Sequence, residues 1–243
     1  MCNEAKFLPK ENQEDIPDPL EDEEFDKVIS ACASEFHQHL FTFACYTGLR
    51  CGEIAALTWA EVDFASETVL VRRNITRHGF KLTKTYKART VDSLPPALEA
   101  LKKMRLLTAL LPDTEIEVYQ RDKGIRNKEK VRFVFNPLCF WHSGDKAWGT
   151  TNSISKRSRL ILERAGVRHR RFHQTRHTYA CWALAHGGNV AYVAQQLGHK
   201  NLKMVIEVYA KWMPSRSRSE AGRIWQSMID NDSSSIGYEE DKQ

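Results

Sequence analysis

The sequence predicts a mostly α-helical fold with a small antiparallel β-sheet, that is, an α+β domain. Over most of the chain, apolar residues recur every three or four positions, which is the period of an amphipathic helix. Between about residues 68 and 94 this period changes and short strand-like runs follow one another. Glycines end several of the helical patterns, at Gly48, Gly187-Gly188 and Gly198.

The N-terminal part predicts helices. Asp18-Pro19 precedes the acidic run LEDEEFDKVI, and acidic side chains favour the first turn of a helix. The helical period continues in broken form to about Tyr46, and GEIAALTW predicts a second, short helical segment. Residues 96–111, PALEALKKMRLLTALL, predict an amphipathic helix after the strands.

The middle of the chain predicts the sheet, and the remainder is helical. Three strands are predicted at 68–74, 79–85 and 88–94, with Tyr86-Lys87 where the last two turn back on each other. Residues 113–131 are charged and are expected to be irregular, and a short strand is expected at 132–135. The later helices are predicted at 150–166, 174–187, 189–197, 201–212 and 216–229.

Composition divides the chain into four segments. Residues 1–20 are polar and contain three prolines, which predicts a flexible linker. Residues 21–213 are expected to form the folded domain, and residues 214–229 a separate C-terminal helix. Residues 230–243 are expected to form an acidic, disordered tail.

The net charge of +5 hides a segregation of charge along the chain. Residues 1–30 hold 10 acidic and 3 basic residues, and residues 229–243 hold 5 acidic residues and 1 lysine. The body between them therefore carries +16, which suggests a polyanionic partner, most simply nucleic acid. A soluble protein with a lysine-rich surface explains the same charge equally well.

Cysteine usage and hydropathy indicate a cytoplasmic protein. The six cysteines are scattered without a CxxC pair, as expected for reduced thiols and not for a disulfide framework or a zinc site. The N-terminus lacks the apolar stretch of a secretory signal, and no long uncharged apolar run predicts a membrane span.

Five local features carry residues suited to chemistry, and their order along the chain matters more than any single one. The candidate residues are Arg50 and Glu53 in TGLRCGE, Lys84 at a strand end, His173, Arg176 and His177 in HQTRH, His199 after Leu197-Gly198, and Tyr209 one helix further on.

These features resemble the motifs of the tyrosine recombinases of the phage-integrase type. TGLRCGEIAALTWAEVDF resembles the first arginine box of that family, and HQTRHTYA is similar to its HxxRH box. LGHKNLKMVIEVYAKW resembles the closing box with its histidine and nucleophilic tyrosine, and KTYKARTV resembles the β-hairpin lysine segment. The resemblance spans about residues 20–213, and the lysine segment is its least specific part.

The residue types fit the cleavage of a phosphodiester. Two guanidinium groups, Arg50 and Arg176, are suited to clamp the two non-bridging oxygens, because each offers several donors in a fixed plane. Such a clamp supplies electrostatic stabilisation that other enzymes take from metal ions, and we expect neither a metal nor a cofactor. A covalent ester with Tyr209 would store the energy of the broken bond, so that rejoining needs no ATP.

The resemblance implies a role for each remaining candidate. Tyr209 is the nucleophile that forms a 3′-phosphotyrosyl link, and Lys84 is the general acid for the leaving 5′ oxygen. His173 assists proton transfer at the tyrosine hydroxyl, since imidazole titrates near neutral pH, and His199 donates to a non-bridging oxygen. Glu53 and His177 support the site, Glu53 by orienting Arg50 or the histidines.

Each of these residues also has an ordinary explanation. Arg50 could be a surface arginine, Lys84 one charge of a solvated strand, and Tyr209 a core aromatic residue, although Val205, Val208 and Trp212 supply a core face without it. Lys87 is a rival to Lys84, because charge alone cannot separate neighbouring lysines. His173 and His177 have helical metal-ligand spacing, but the HExxH pattern and a third ligand are missing.

The resemblance also implies partners. Family members carry an N-terminal core-binding domain that clamps DNA together with the catalytic domain, and only about twenty residues precede the domain here. We therefore expect an excised domain, a natural fragment or a decayed prophage product that binds duplex DNA weakly and with strong salt dependence. We expect a monomer in solution and a homotetramer on DNA, in which residues 214–229 dock on a neighbouring protomer rather than on their own core.

The expected function is site-specific DNA recombination, in phage or prophage integration or excision. One alternative is a DNA-binding remnant that keeps the fold without cutting, although a pure binder would not need Tyr209. A second alternative is a type IB topoisomerase, which shares the chemistry. The ten-residue spacing from His199 to Tyr209 is one longer than in many family members.

Overall fold

A computed structural model describes residues 16–76, 78–83, 88–120, 125–135, 151–199 and 201–213, together with Gly222, Trp225 and Ile229. The predicted fold class is confirmed, because helices dominate and the strands form two small sheets. The helices are α1 (Asp22–Ala31), α2 (Glu35–Thr47), α3 (Cys51–Ala55), α4 (Pro95–Thr108), α5 (Thr151–Arg164), α6 (Gln174–Ala185), α7 (Val190–Leu197) and α8 (Leu202–Tyr209). Short 3-10 turns follow at Trp59–Glu61 and Ala210–Trp212.

The predicted helices form where their periodicity and end signals coincide. α1 begins where the backbone N–H of Glu21 donates to Glu24 Oε2 at 3.1 Å, with three acidic residues in the first turn. α2 ends at Gly48, whose φ of 64° is left-handed. A Cβ at Gly48 would lie 2.5 Å from the ring of Tyr179, so this glycine also permits α6 to pack closely. Of the helix predicted at 216–229, only three residues are described.

The strands form two sheets instead of one. β1 (Val62–Asp63), β2 (Thr68–Val71) and β5 (Arg89–Asp92) pair antiparallel in the order β1-β2-β5. β3 (Arg73–Thr76), β4 (Gly79–Leu82), β6 (Thr114–Tyr119) and β7 (Arg126–Val131) form the second sheet in the order β3-β4-β6-β7, in which β4 and β6 are parallel.

The predicted pairing of the second and third strands was wrong. β4 pairs with β3, with Ile75 opposite Phe80, whereas β5 pairs with β2, with Val69 opposite Val91. Local strand patterns do not specify partners, and here each strand pairs where its apolar face joins the core. The predicted turn at Tyr86-Lys87 lies outside the described residues.

Two further predictions about this region were wrong. Residues 113–131, expected to be irregular, contain β6 and β7, because Ile116 and Val118 alternate with charged residues and are buried. Opposite charges attract each other across the two strands: Glu117 lies directly opposite Lys128 and forms a diagonal ion pair with Arg126. The strand expected at 132–135 is reduced to a single bridge between Phe133 and Thr58.

Two clusters of buried apolar side chains lie on either side of α6. The larger cluster contains side chains from the five helices α1, α2, α3, α4 and α5 and from both sheets. The smaller cluster contains side chains from α6, α7 and α8. The last residues of the segment predicted as a linker are attached to α6: the backbone N–H of Leu20 donates to Thr178 Oγ1 at 2.9 Å, and Trp182 Nε1 donates to the Leu20 carbonyl at 3.1 Å. Within the described part of the chain, no helix is both long and apolar enough to span a membrane.

Candidate active site

Arg176 lies at the centre of the candidate site. It sits on the first turn of α6 and is 2% exposed. Its guanidinium donates to the Gly48 carbonyl at 2.8 Å and to the Leu197 carbonyl at 2.6 Å. These bonds tie the ends of α2 and α7 to α6, so that the segments carrying Arg50 and His199 meet at one place.

Arg50 reaches the same place from the N-terminus of α3. Its backbone N–H donates to Glu53 Oε2 at 2.9 Å, and its Nη1 donates to Glu53 Oε1 at 3.2 Å. The Arg50 side chain is 42% exposed, whereas that of Glu53 is 4% exposed. Arg50 therefore presents a guanidinium at the surface, while its backbone is fixed by the buried carboxylate of Glu53.

Arg89 is a site residue that the sequence reasoning did not single out. It begins β5 and donates from Nη1 to Glu53 Oε1 at 2.9 Å and from Nη2 to Glu53 Oε2 at 2.8 Å. Its Nε donates to the Gln196 carbonyl at 3.2 Å. In the sequence, Arg89 is marked only by its place in KTYKARTV, a segment whose candidate residues were the lysines Lys84 and Lys87.

The site holds more positive than negative charge. Burial alone would raise the pKa of Glu53, but the hydrogen bonds and charge of Arg89, together with Arg50, lower this pKa to about 2. Burial, and next the positive charge of Arg50, lower the pKa of Arg176 to about 9. Arg50 and Arg89 therefore share one ionised carboxylate, and the charge of Arg176 lies beside them. An anion bound here would reduce the repulsion between these positive charges.

His199 follows Gly198, whose left-handed φ of 67° ends α7. Its Nε2 lies 2.9 Å from Arg176 Nη2, and because a guanidinium can only donate, Nε2 accepts. Burial, followed by the charges of Arg176 and Arg50, lowers the pKa of His199 to about 4. The neutral ring thus carries its proton on Nδ1, which is buried and has no hydrogen-bond partner among the described residues.

Tyr209 ends α8 and is 2% exposed. The suggestion that it need not be a core residue was wrong, because it belongs to the apolar cluster of α6, α7 and α8, where its ring lies 6.3 Å from that of Trp212. Its hydroxyl lies 2.8 Å from Nδ1 of His177. Burial raises the pKa of Tyr209, which is partly offset by the charge of Arg176.

Of the remaining predicted residues, the structure describes His173 and His177 but not Lys84. His173 immediately precedes α6 and is exposed, and its ring meets that of His177 edge-on with centroids 5.2 Å apart. Burial, followed by the charges of His173 and Arg176, lowers the pKa of His177 to about 4. Lys84 and its rival Lys87 lie outside the described residues, and the described strand β4 ends at Leu82.

The described structure therefore brings together the arginine boxes, the two histidine segments and the tyrosine in one region. Among the residues that it describes, no three His, Cys, Asp or Glu side chains are grouped so that they could hold a metal ion. The expectation of a metal-free site stays a prediction.

Known proteins resemble the chain over most of its length. It is 38% identical over 221 residues to the protein IntQ of Escherichia coli strain K12, which is named as defective, covering 89% of this chain and 55% of that protein. It is 42% identical over 200 residues to the prophage integrase IntR of the same strain, covering 81% of this chain and 48% of IntR. The chain thus spans about half the length of these curated relatives.

A solved structure shares the fold. The integrase of the Tn1549 transposon, in complex with transposon right-end DNA, superposes with a TM-score of 0.65 at 15% identity, covering 91% of this chain and 68% of that one. The model of the phage integrase family matches residues 18–216, which include every candidate residue from Arg50 to Tyr209. The chain belongs to the phage integrase family.

Proposed function

We propose that the chain is the DNA-cleaving part of a tyrosine-type site-specific recombinase that acts in phage or prophage integration or excision. The observation that carries the proposal is the junction of Arg50, Arg176 and His199, at which excess positive charge gathers around one carboxylate. The family membership and the prophage integrase among the relatives support the same activity.

The junction is suited to bind a scissile phosphate of duplex DNA. Arg50 supplies a half-exposed guanidinium, and Arg176 a buried one whose charge is only partly balanced. A phosphate between them would accept from both, and the buried Nδ1–H of His199 would be a further donor once DNA binding exposes it. Donors that are already oriented lower the barrier because they need no rearrangement as charge develops on the oxygens.

Tyr209 would then attack the phosphorus. A bond forms between the phenol oxygen and phosphorus, the bond from phosphorus to the 5′ oxygen breaks, and a 3′-phosphotyrosyl ester results. The phenol proton passes to a nearby imidazole, for which His173 is the candidate, and Lys84 supplies a proton to the 5′ oxygen. Because the hydroxyl is buried in the DNA-free domain, we expect α8 to shift when DNA binds.

The domain limits and the assembly belong to the same proposal. Residues 21–213 would be the catalytic domain, entered from a linker at 1–20 whose last residues already contact α6. Residues 214–229 would dock on a neighbouring protomer of a tetramer on DNA, followed by an acidic tail at 230–243. The protein would be cytoplasmic and monomeric without DNA, and sedimentation that shows a stable DNA-free tetramer would contradict the last point.

The test traps the covalent intermediate. The full chain is incubated with a pool of nicked duplexes of random sequence, labelled on the strand that keeps its 3′ phosphate, and adducts are isolated under denaturing conditions. We expect mass spectrometry to find the nucleotide on the peptide that contains Tyr209, and Tyr209→Phe to give none. A chain that binds the pool without forming an adduct would be a DNA-binding remnant, and relaxation of supercoiled plasmid at any sequence would favour a topoisomerase.

A further inference from the structure

Arg89 connects three parts of the candidate site that are distant in sequence. Its two terminal nitrogens bind both oxygens of Glu53 on α3, and its Nε binds the carbonyl of Gln196 near the end of α7. A Cβ at Gly198 would lie 2.9 Å from Arg89 Nε, so the turn that leads to His199 packs directly on this side chain. Arg89 itself is largely buried, with 16% of its side chain exposed.

Arg89 and Arg50 both donate hydrogen bonds to the carboxylate of Glu53 and compete for it. The Arg50 side chain makes one longer contact to Oε1, at 3.2 Å, beside the bond from its backbone N–H to Oε2, whereas the Arg89 side chain makes two contacts of 2.9 and 2.8 Å. A carboxylate with two parallel guanidinium hydrogen bonds is well satisfied and needs little from a third group. Without Arg89, the buried charge of Glu53 would have Arg50 as its nearest remaining partner.

Resting on the function proposed above, we propose that Arg89 is a positioning residue of the cleavage site. It neutralises Glu53 through both carboxylate oxygens, which leaves the Arg50 guanidinium available to a phosphate. It also joins α3 to the end of α7, which sets the place of Arg50 relative to Arg176 and His199. Arg89 acts through these side chains and has no chemical step of its own.

The test compares single and double variants on one duplex, whose sequence is read from the adducts that the unmodified chain forms with the random pool. For Arg89→Ala we expect the single-turnover rate of adduct formation at saturating DNA to fall about 100-fold, the loss typical of a displaced catalytic group, while DNA affinity falls by no more than about 10-fold. In Arg89→Ala/Glu53→Gln the neutral amide no longer captures Arg50, so we expect about 10-fold of the rate to return. Arg89→Lys should stay low, because an ammonium cannot bind both oxygens in the same plane.

Arg132→Ala is the matched control. Arg132 also binds a carboxylate and a main-chain carbonyl, those of Asp113 and Ala109, but at the end of α4. We expect its cleavage rate to stay within about 3-fold of the unmodified chain, as for a distant and independent site. An equal loss in Arg132→Ala, or a double variant no faster than Arg89→Ala, would reduce Arg89 to a structural role and overturn the proposal.

A second measurement needs no cleavage and separates this proposal from the proposed function. Inorganic phosphate is titrated into the DNA-free chain, and the imidazole resonances of His199 report binding. We expect Arg89→Ala to weaken phosphate binding about 10-fold, because Arg50 then pairs with Glu53 and not with phosphate. The double variant should recover most of this affinity, because the amide at position 53 carries no charge to hold Arg50. Equal affinities in all variants would refute the role of Arg89, whereas an unmodified chain that binds phosphate but forms no adduct would refute only the recombinase activity.

Discussion

The hydroxyl of Tyr209 lies 2.8 Å from Nδ1 of His177, and both side chains are buried between α6 and α8. The side chain that we propose as nucleophile is thus held by a neutral imidazole in the DNA-free domain. His177, which the sequence placed in a supporting role, is the described group that touches the attacking oxygen. This contact has consequences for stability that can be measured without DNA.

Breaking the contact from one side should destabilise the domain more than breaking it from both. His177→Phe leaves the Tyr209 hydroxyl buried without its partner, which we expect to cost about 1–3 kcal/mol of unfolding free energy. In His177→Phe/Tyr209→Phe no polar group is stranded, so part of this loss should return. Denaturant unfolding of the two single variants and the double variant gives the coupling energy, and strictly additive losses would show that the contact contributes nothing.

Acid should weaken the domain through His177. Its folded pKa of about 4 lies below the ordinary value of 6.5, so the unfolded chain takes up the proton first. The contribution of the neutral ring is complete above pH 6.5 and is lost as the pH falls from 6.5 towards 4. We expect the melting temperature to fall between pH 7 and pH 5 by about 5 °C more in the unmodified chain than in His177→Phe.

Glu53 gives a separate signal at lower pH. Its folded pKa of about 2 lies below the ordinary value of 4.5, so its stabilising effect is present above pH 4.5 and is lost between 4.5 and 2. The two windows barely overlap, which allows each to be assigned by its own variant. His199, whose pKa is also lowered to about 4 by burial, contributes to the same window, so His177→Phe should keep part of the slope between pH 7 and pH 5. If His177→Phe kept the full slope, His177 would not contribute to it.

The helices and the candidate residues could be predicted because short stretches of sequence specify both. α6 and α7 begin and end close to the predicted positions, since periodicity and glycine signals coincide there. The pairing of β5 with β2 could not be predicted, because partner choice depends on which strands share the core. The place of Arg89 in the site could not be predicted either, because its partners Glu53 and Gln196 lie 36 and 107 residues away in the chain.

DNA binding should depend strongly on salt. The body of the chain carries +16, and each phosphate contact made by a basic side chain releases counterions. We expect the logarithm of the affinity for duplex DNA to fall linearly with the logarithm of salt concentration, and the slope of Arg50→Gln to be smaller by about 1. Arg132→Ala is the control that should keep the slope, and nanomolar binding insensitive to salt would contradict the expectation.

The two arginines of the clamp should differ in what their loss does to the domain. Arg176 holds the ends of α2 and α7 through main-chain carbonyls, and a lysine at this buried position cannot replace its planar set of donors. Arg176→Lys should therefore lower the melting temperature by several degrees, about 2–4 °C for each kcal/mol lost, as well as abolish the adduct. Arg50→Gln should abolish the adduct while leaving the melting temperature nearly unchanged, because its side chain is half-exposed and Glu53 keeps Arg89. Thermal unfolding beside adduct trapping distinguishes the two, and an Arg176→Lys chain as stable as the unmodified one would show that Arg176 does not join the two helix ends.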